Sequence, residues 1–66
     1  MKFWIKERIT PQAHYFVPCG RLSKADAKKR ESPLYGDNTM IGYDTEQEYE
    51  AALQQLRKEG QSVHDV

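Results

Sequence analysis

The sequence predicts a small single-domain α+β protein, in which a three-stranded antiparallel sheet packs on a C-terminal amphipathic helix in the order β-β-α-β-α. Two observations carry this prediction. Residues 3–9 alternate between apolar and polar side chains, which is the period of a strand with one buried face. Residues 45–58 carry one apolar stripe at helical spacing behind a strong helix start. The sheet face and the helix stripe are most simply buried against each other.

The first two strands are expected to form a hairpin. One side of the first strand would carry Phe3, Ile5 and Ile9, and the other side Trp4, Lys6 and Arg8. Pro11 interrupts the pattern, because proline cannot donate to a strand ladder and presets a turn. The second run, residues 13–17, is rich in aromatic and β-branched residues, and we expect it to end at Pro18 and Gly20.

The rest of the chain predicts a short helix, a third strand and a longer helix. Ser23 can cap a helix that continues to Glu31, with Leu22 and Leu34 as its apolar anchors. Residues 39–43 are short, apolar and partly β-branched, as a strand requires. Thr45 and Glu48 form a capping box for the last helix. Its expected buried stripe is Tyr49, Ala52, Leu53 and Leu56.

Gly60 stands where a helix C-cap is expected, so the domain is predicted to span residues 1–60. Residues 61–66 show no periodicity and are predicted to form a flexible tail. The first seven residues return to charge after three apolar ones, so no signal peptide or membrane span is expected. Cys19 is the only cysteine, which excludes a disulfide scaffold and favours a small buried thiol. We interpret the protein as cytoplasmic.

Charge is balanced overall but divided along the chain. Residues 1–33 hold eight basic and three acidic residues, whereas residues 34–66 hold two basic and seven acidic ones. The net charge of zero lacks the basic excess that most nucleic-acid-binding proteins carry. A chain divided in this way can hold its own halves together, pair with a second copy or steer a charged partner.

No catalytic, metal or cofactor site is expected, and no small-molecule substrate. No motif places a nucleophile beside a base. A zinc site usually takes two pairs of closely spaced ligands, and His14 with Cys19 supplies one pair at most. Glu46, Glu48 and Glu50 radiate around a helix start and cannot converge on one ion.

The remaining candidates are binding residues. The hairpin is expected to present Trp4, His14 and Phe16 on the sheet face opposite the core, beside a basic segment at residues 21–30. The predicted partner-binding residues are Trp4, His14, Phe16, Arg21, Lys24, Lys28, Lys29, Arg30 and Tyr35. A solvated helix face that pairs with the acidic half of the chain explains the basic segment better than phosphate and base contacts do.

Small size and the absence of chemical motifs favour a non-enzymatic cytoplasmic protein that binds another protein or a second copy of itself. We expect a regulator, inhibitor or adaptor of the kind that phages and other mobile elements carry. The alternative is a small nucleic-acid-binding module that uses the sheet face and the basic segment, since cations interleaved with aromatic rings suit phosphate and base contacts.

Overall fold

The computed structural model describes residues 1–31 and 37–64, and it confirms the predicted fold class and element order. The elements are β1 (Lys2–Ile9), β2 (His14–Leu22), α1 (Lys24–Lys29), β3 (Asp37–Tyr43) and α2 (Glu46–Lys58). The strand order is β2-β1-β3, and both pairings of the central strand β1 are antiparallel. Neither helix is long and apolar enough to cross a membrane.

One face of the sheet forms the core with α2. The buried cluster is Ile5, Phe16, Tyr49 and Leu53, with Phe3, Tyr43, Ala52, Leu56 and Val63 packed partly buried around it. The predicted apolar stripe of α2 is therefore confirmed. Ile9, which the alternation also predicted to be buried, is instead 43% exposed, since it is the last residue of β1 and lies beside the turn to β2.

The prediction that Phe16 lies opposite the core is wrong. Phe16 is only 6% exposed, because it pairs with Glu7 and so shares the face of Ile5. His14 lies on the same face, with its ring centroid 5.3 Å from that of Phe16 and its Nε2 bonded to Oε2 of Glu7 at 2.7 Å. Of the three hairpin residues assigned to the opposite face, only Trp4 lies there.

Strand β2 continues beyond Pro18, where the sequence predicted its end. Pro18 is tolerated because β2 is an edge strand and the proline nitrogen faces away from β1. Cys19 is then an extra residue between the Ile5–Pro18 and Trp4–Gly20 pairs, which makes a β-bulge. Gly20 adopts a φ of +74°, which L side chains rarely adopt, and its N–H leaves the ladder to donate to Oη of Tyr49 at 3.1 Å.

Both helices begin as predicted. The N–H of Asp26 donates to Oγ of Ser23 at 3.2 Å, and the N–H of Glu48 donates to Oγ1 of Thr45 at 3.1 Å. Helix α1 is shorter than predicted, since its last helical residue is Lys29 rather than Glu31. Leu34, its predicted second anchor, lies outside the described residues.

Gly60 ends α2 in a Schellman turn at a φ of +81°. Its N–H donates to the carbonyl of Arg57, and the N–H of Gln61 donates to the carbonyl of Leu56. The chain then turns toward β2, although the sequence predicted a flexible tail from residue 61. Phe16 donates to the carbonyl of Ser62 and accepts from the N–H of His64, each at 2.8 Å. Residues 62–64 thus cover the outer edge of β2.

We predict that Leu53→Ala costs about 2–5 kcal/mol of the free energy of unfolding, because Leu53 is 4% exposed at the centre of the core. Leu56→Ala should cost less, since Leu56 is only partly buried. Urea denaturation measures both, with Gln54→Ala on the exposed side of α2 as the control. Equal stability of Leu53→Ala and the control would contradict this packing.

We also predict that Tyr49→Phe costs about 1–3 kcal/mol, because it removes the acceptor for the N–H of Gly20 at the bulge. Tyr43→Phe is the matched control, since the hydroxyl of Tyr43 makes no hydrogen bond to the described part of the chain. The same denaturation measurement should leave the control within about 0.5 kcal/mol of the wild type. Equal losses in the two variants would rule out a special role for the bulge contact.

Candidate functional site

The face of the sheet opposite α2, which we call the outer face, is the candidate functional site. Strand alternation directs Trp4, Lys6 and Arg8 away from the core, because Phe3 and Ile5 point into it. Their ladder partners lie on the same face. The outer face carries Trp4, Lys6, Arg8, Tyr15, Val17, Asn38 and Met40.

Helix α1 covers one end of the outer face. Ala27 is 1% exposed, and together with Trp4 and Met40 it lines the space between the helix and the sheet. The indole N–H of Trp4 donates to the carbonyl of Leu22 at 3.0 Å. The indole ring lies over Gly42, where an added Cβ would come within 2.9 Å of it. Small residues at Ala27 and Gly42 therefore let the helix, the ring and the sheet approach closely.

A pocket of about 220 Å³ remains between α1 and the sheet. It is lined by Trp4, Lys24, Ala27, Lys28, Glu31 and Met40. Oε1 of Glu31 accepts a hydrogen bond of 3.3 Å from the backbone N–H of Met40. A second pocket, of about 350 Å³, shares Trp4 and Lys24 with the first. An apolar floor with two lysines and the carboxylate of Glu31 around it suits an apolar side chain.

Side chains at the other end of the outer face are partly exposed. Lys6, Arg8, Tyr15 and Val17 lie there on two adjacent strands. Nη1 of Arg8 donates to Oδ1 of Asn38 at 2.8 Å, which holds the guanidinium over the sheet. The ring of Tyr15 stacks on His64, with centroids 4.3 Å apart and an interplanar angle of 11°. This end presents cationic, aromatic and aliphatic groups on one surface.

The structure brings together only some of the predicted binding residues. Trp4, Lys24 and Lys28 meet at the pocket. Lys29 and Arg30 are exposed at the end of α1. His14, Phe16 and Arg21 instead take ladder positions on the face that α2 covers. Tyr35 lies outside the described residues.

Sequence reasoning missed Lys6, Arg8, Tyr15 and Glu31 as site residues. The alternation did place Lys6 and Arg8 on the side of β1 away from the core. That Tyr15 joins them could not be derived without the register across the turn, which pairs it with Arg8. Nothing in the local pattern indicates that Glu31 bonds to the backbone of β3.

The described residues contain no group of three or more metal-ligating side chains that could hold an ion. Cys19 is half-buried at the bulge, where its thiol donates to the carbonyl of Val17 at 3.5 Å. No family model, curated protein or solved structure matches the chain.

We predict that Gly42→Ala destabilises the protein by about 1–3 kcal/mol, because the new Cβ would press on the ring of Trp4. A shift of the ring away from the new Cβ would strain the hydrogen bond from its N–H to the carbonyl of Leu22. Thr39→Ala, at an exposed position of β3, is the control. In Trp4→Leu protein, Gly42→Ala should cost much less, and an unchanged cost by denaturation would contradict the contact.

Proposed function

We propose that this chain is a small non-enzymatic protein that acts in the cytoplasm as a regulator, inhibitor or adaptor, by binding another protein through the outer face. One observation carries the proposal. Helix α2 packs over the core face of the sheet, whereas α1 covers only the Trp4 and Met40 end of the outer face. Within residues 1–31 and 37–64, the end with Lys6 and Arg8 is left partly exposed.

The chemistry of that end supports a protein partner. Tyrosine and arginine are enriched at the centres of protein interfaces, where they combine a large contact area with hydrogen-bonding groups. Tyr15 and Arg8 form a cross-strand pair here, with Val17 and Lys6 as the next pair along the ladder. The cations would speed association with an acidic partner more than they would raise its affinity.

A nucleic-acid-binding module is the second candidate, because both ends of the outer face carry cations. The Tyr15–His64 stack lies beside Arg8 at one end, and Lys24 and Lys28 lie at the other end. Base stacking needs exposed ring faces. The ring of Trp4 packs on Gly42, and that of Tyr15 already stacks on His64. The net charge of zero also gives little attraction to phosphates. Both points favour a protein.

The proposal is tested with a double variant, Lys6→Glu with Tyr15→Ser, which changes the outer face alone. Its control is Glu50→Lys with Gln54→Ser, at exposed positions of α2. Partners are captured from nuclease-treated lysate, purified, and titrated by calorimetry. We expect the outer-face variant to lose at least about tenfold in affinity, or 1.4 kcal/mol, and the control to bind as the wild type does. Equal binding by both variants would contradict the proposal.

Salt dependence separates the two candidates. If the basic segment contacted duplex DNA, the logarithm of the affinity would fall with the logarithm of salt concentration with a slope of about −0.9 per phosphate contact. Lys28→Gln with Lys29→Gln would then flatten the slope by up to about 2. We expect no submicromolar affinity for duplex or single-stranded nucleic acid at physiological salt. Such binding, weakened by the two glutamines, would replace the proposed function with the second candidate.

A further inference from the structure

We infer that the outer edge of β3 is a docking site for an extended acidic segment of a protein partner, which adds a fourth, antiparallel strand to the sheet. This inference rests on the proposed protein-binding function and names how the partner is held. Strand addition draws affinity from main-chain hydrogen bonds and specificity from pockets for alternate side chains. Both parts occur at β3.

The main-chain groups are those of Met40 and Gly42. In an antiparallel ladder, alternate residues turn their N–H and C=O groups toward the same neighbour. The N–H of Met40 bonds to Glu31, so Met40 faces away from β1, and Gly42 two residues later does the same. Among the described residues, nothing pairs with the N–H or C=O of Gly42 or with the C=O of Met40.

The two edges of the sheet differ in this respect. At the β2 edge, both main-chain groups of Phe16 are already paired with residues 62–64. Pro18, the next outward-facing residue of β2, has no N–H to offer. Among residues 1–31 and 37–64, the β3 edge is closed at Met40 only by a side chain, the carboxylate of Glu31. A carboxylate can turn out to solvent and leave its place to a peptide carbonyl.

The pocket lies beside this edge. Met40 and Glu31 belong both to the edge and to the lining of the 220 Å³ pocket, which Trp4 and Ala27 complete. The residue of an added strand that pairs with Met40 would have its side chain on the outer face, about 5 Å from that of Met40. That distance places an apolar side chain at the pocket.

Charge decides which segment fits. Lys24 and Lys28 line the pocket, and Lys29 and Arg30 follow them at the exposed end of α1. A second copy paired through its own β3 would bring two such basic helices to the same face of one continuous sheet, where they would repel. Acidic residues on either side of the apolar anchor would instead be attracted to Lys24 and Lys28.

The experiment uses a blocked seven-residue peptide of the order threonine, glutamate, threonine, leucine, threonine, glutamate, threonine. In an added antiparallel strand, the leucine and both glutamates place their side chains on the outer face and turn their N–H and C=O groups toward β3. The threonines place their side chains on the other face and turn their N–H and C=O groups away from β3. Peptide is titrated to millimolar concentration into the full chain, and binding is followed by the amide NMR shifts of Met40 and Gly42 and by Trp4 fluorescence.

We expect binding that weakens with salt and survives N-methylation of the threonines. N-methylation of the leucine and glutamates should abolish it, and so should exchange of the glutamates for lysine. Glu31→Ala should raise the affinity several-fold, because it removes both the competing acceptor and a like charge. Lys24→Gln with Lys28→Gln should lower it at least threefold.

A synthetic full chain that is N-methylated at the amide of Gly42 supplies a second check, since the methyl group blocks the edge without adding a Cβ. It should melt as the unmodified chain does and lose the peptide. The inference would be overturned if the two N-methylated peptides bound equally well, or if the N-methylated chain bound the peptide as well as the unmodified chain does. It would also be overturned, in favour of a second copy as the occupant, if the unmodified chain formed salt-independent dimers and the N-methylated chain did not. If the captured partner still required Lys6 and Tyr15 while the peptide failed to bind, the proposed function would stand and only the strand addition would fall.

Discussion

The structure depends on one constraint, which is that β1 lies between two strands and carries a large apolar side chain on each of its faces, Ile5 on one and Trp4 on the other. Its odd-numbered residues lie on the face that α2 covers, where Ile5 is completely buried. Its even-numbered residues meet α1 only at Trp4, and Lys6 and Arg8 continue along a partly exposed surface. The alternation of one strand thus separates the molecule into a core face and an outer face. The extents of 32 × 30 × 16 Å reflect these thin layers.

In so thin a core, a buried polar group without a hydrogen bond would cost a large part of the stability. The bulge in β2 provides such a hydrogen bond. Burying Tyr49 adds apolar area, but its hydroxyl then needs a partner inside the protein. The bulge supplies one by turning the N–H of Gly20 out of the ladder toward the core. The positive φ at Gly20 is part of the bulge whose N–H gives the hydroxyl of Tyr49 its hydrogen bond. In the described part of the chain, no buried side-chain nitrogen or oxygen lacks a hydrogen bond.

Local patterns predicted the elements well, because caps and periodicity act over a few residues. The cap at Thr45 and the buried stripe around Leu53 are examples. The bounds of β2 and α1 differ by a few residues, and the larger errors concern contacts between distant segments. Phe16 was placed on the wrong face because the face of β2 depends on its register with β1. The pairing of residues 62–64 with β2 has no local signal, and the role of Glu31 in the candidate site is visible only in three dimensions.

The central position of β1 also sets the order in which the chain can fold. The turn that Thr10 and Ala13 close joins β1 directly to β2, so this hairpin can form early from local contacts. The third strand follows α1 in the chain, so its pairs with β1 join residues as distant in sequence as Phe3 and Tyr43. Closing so long a loop is the slow step in domains with many non-local contacts. Until β3 pairs with β1, the hairpin has an open main-chain edge along β1, and an open strand edge is a site at which chains can associate.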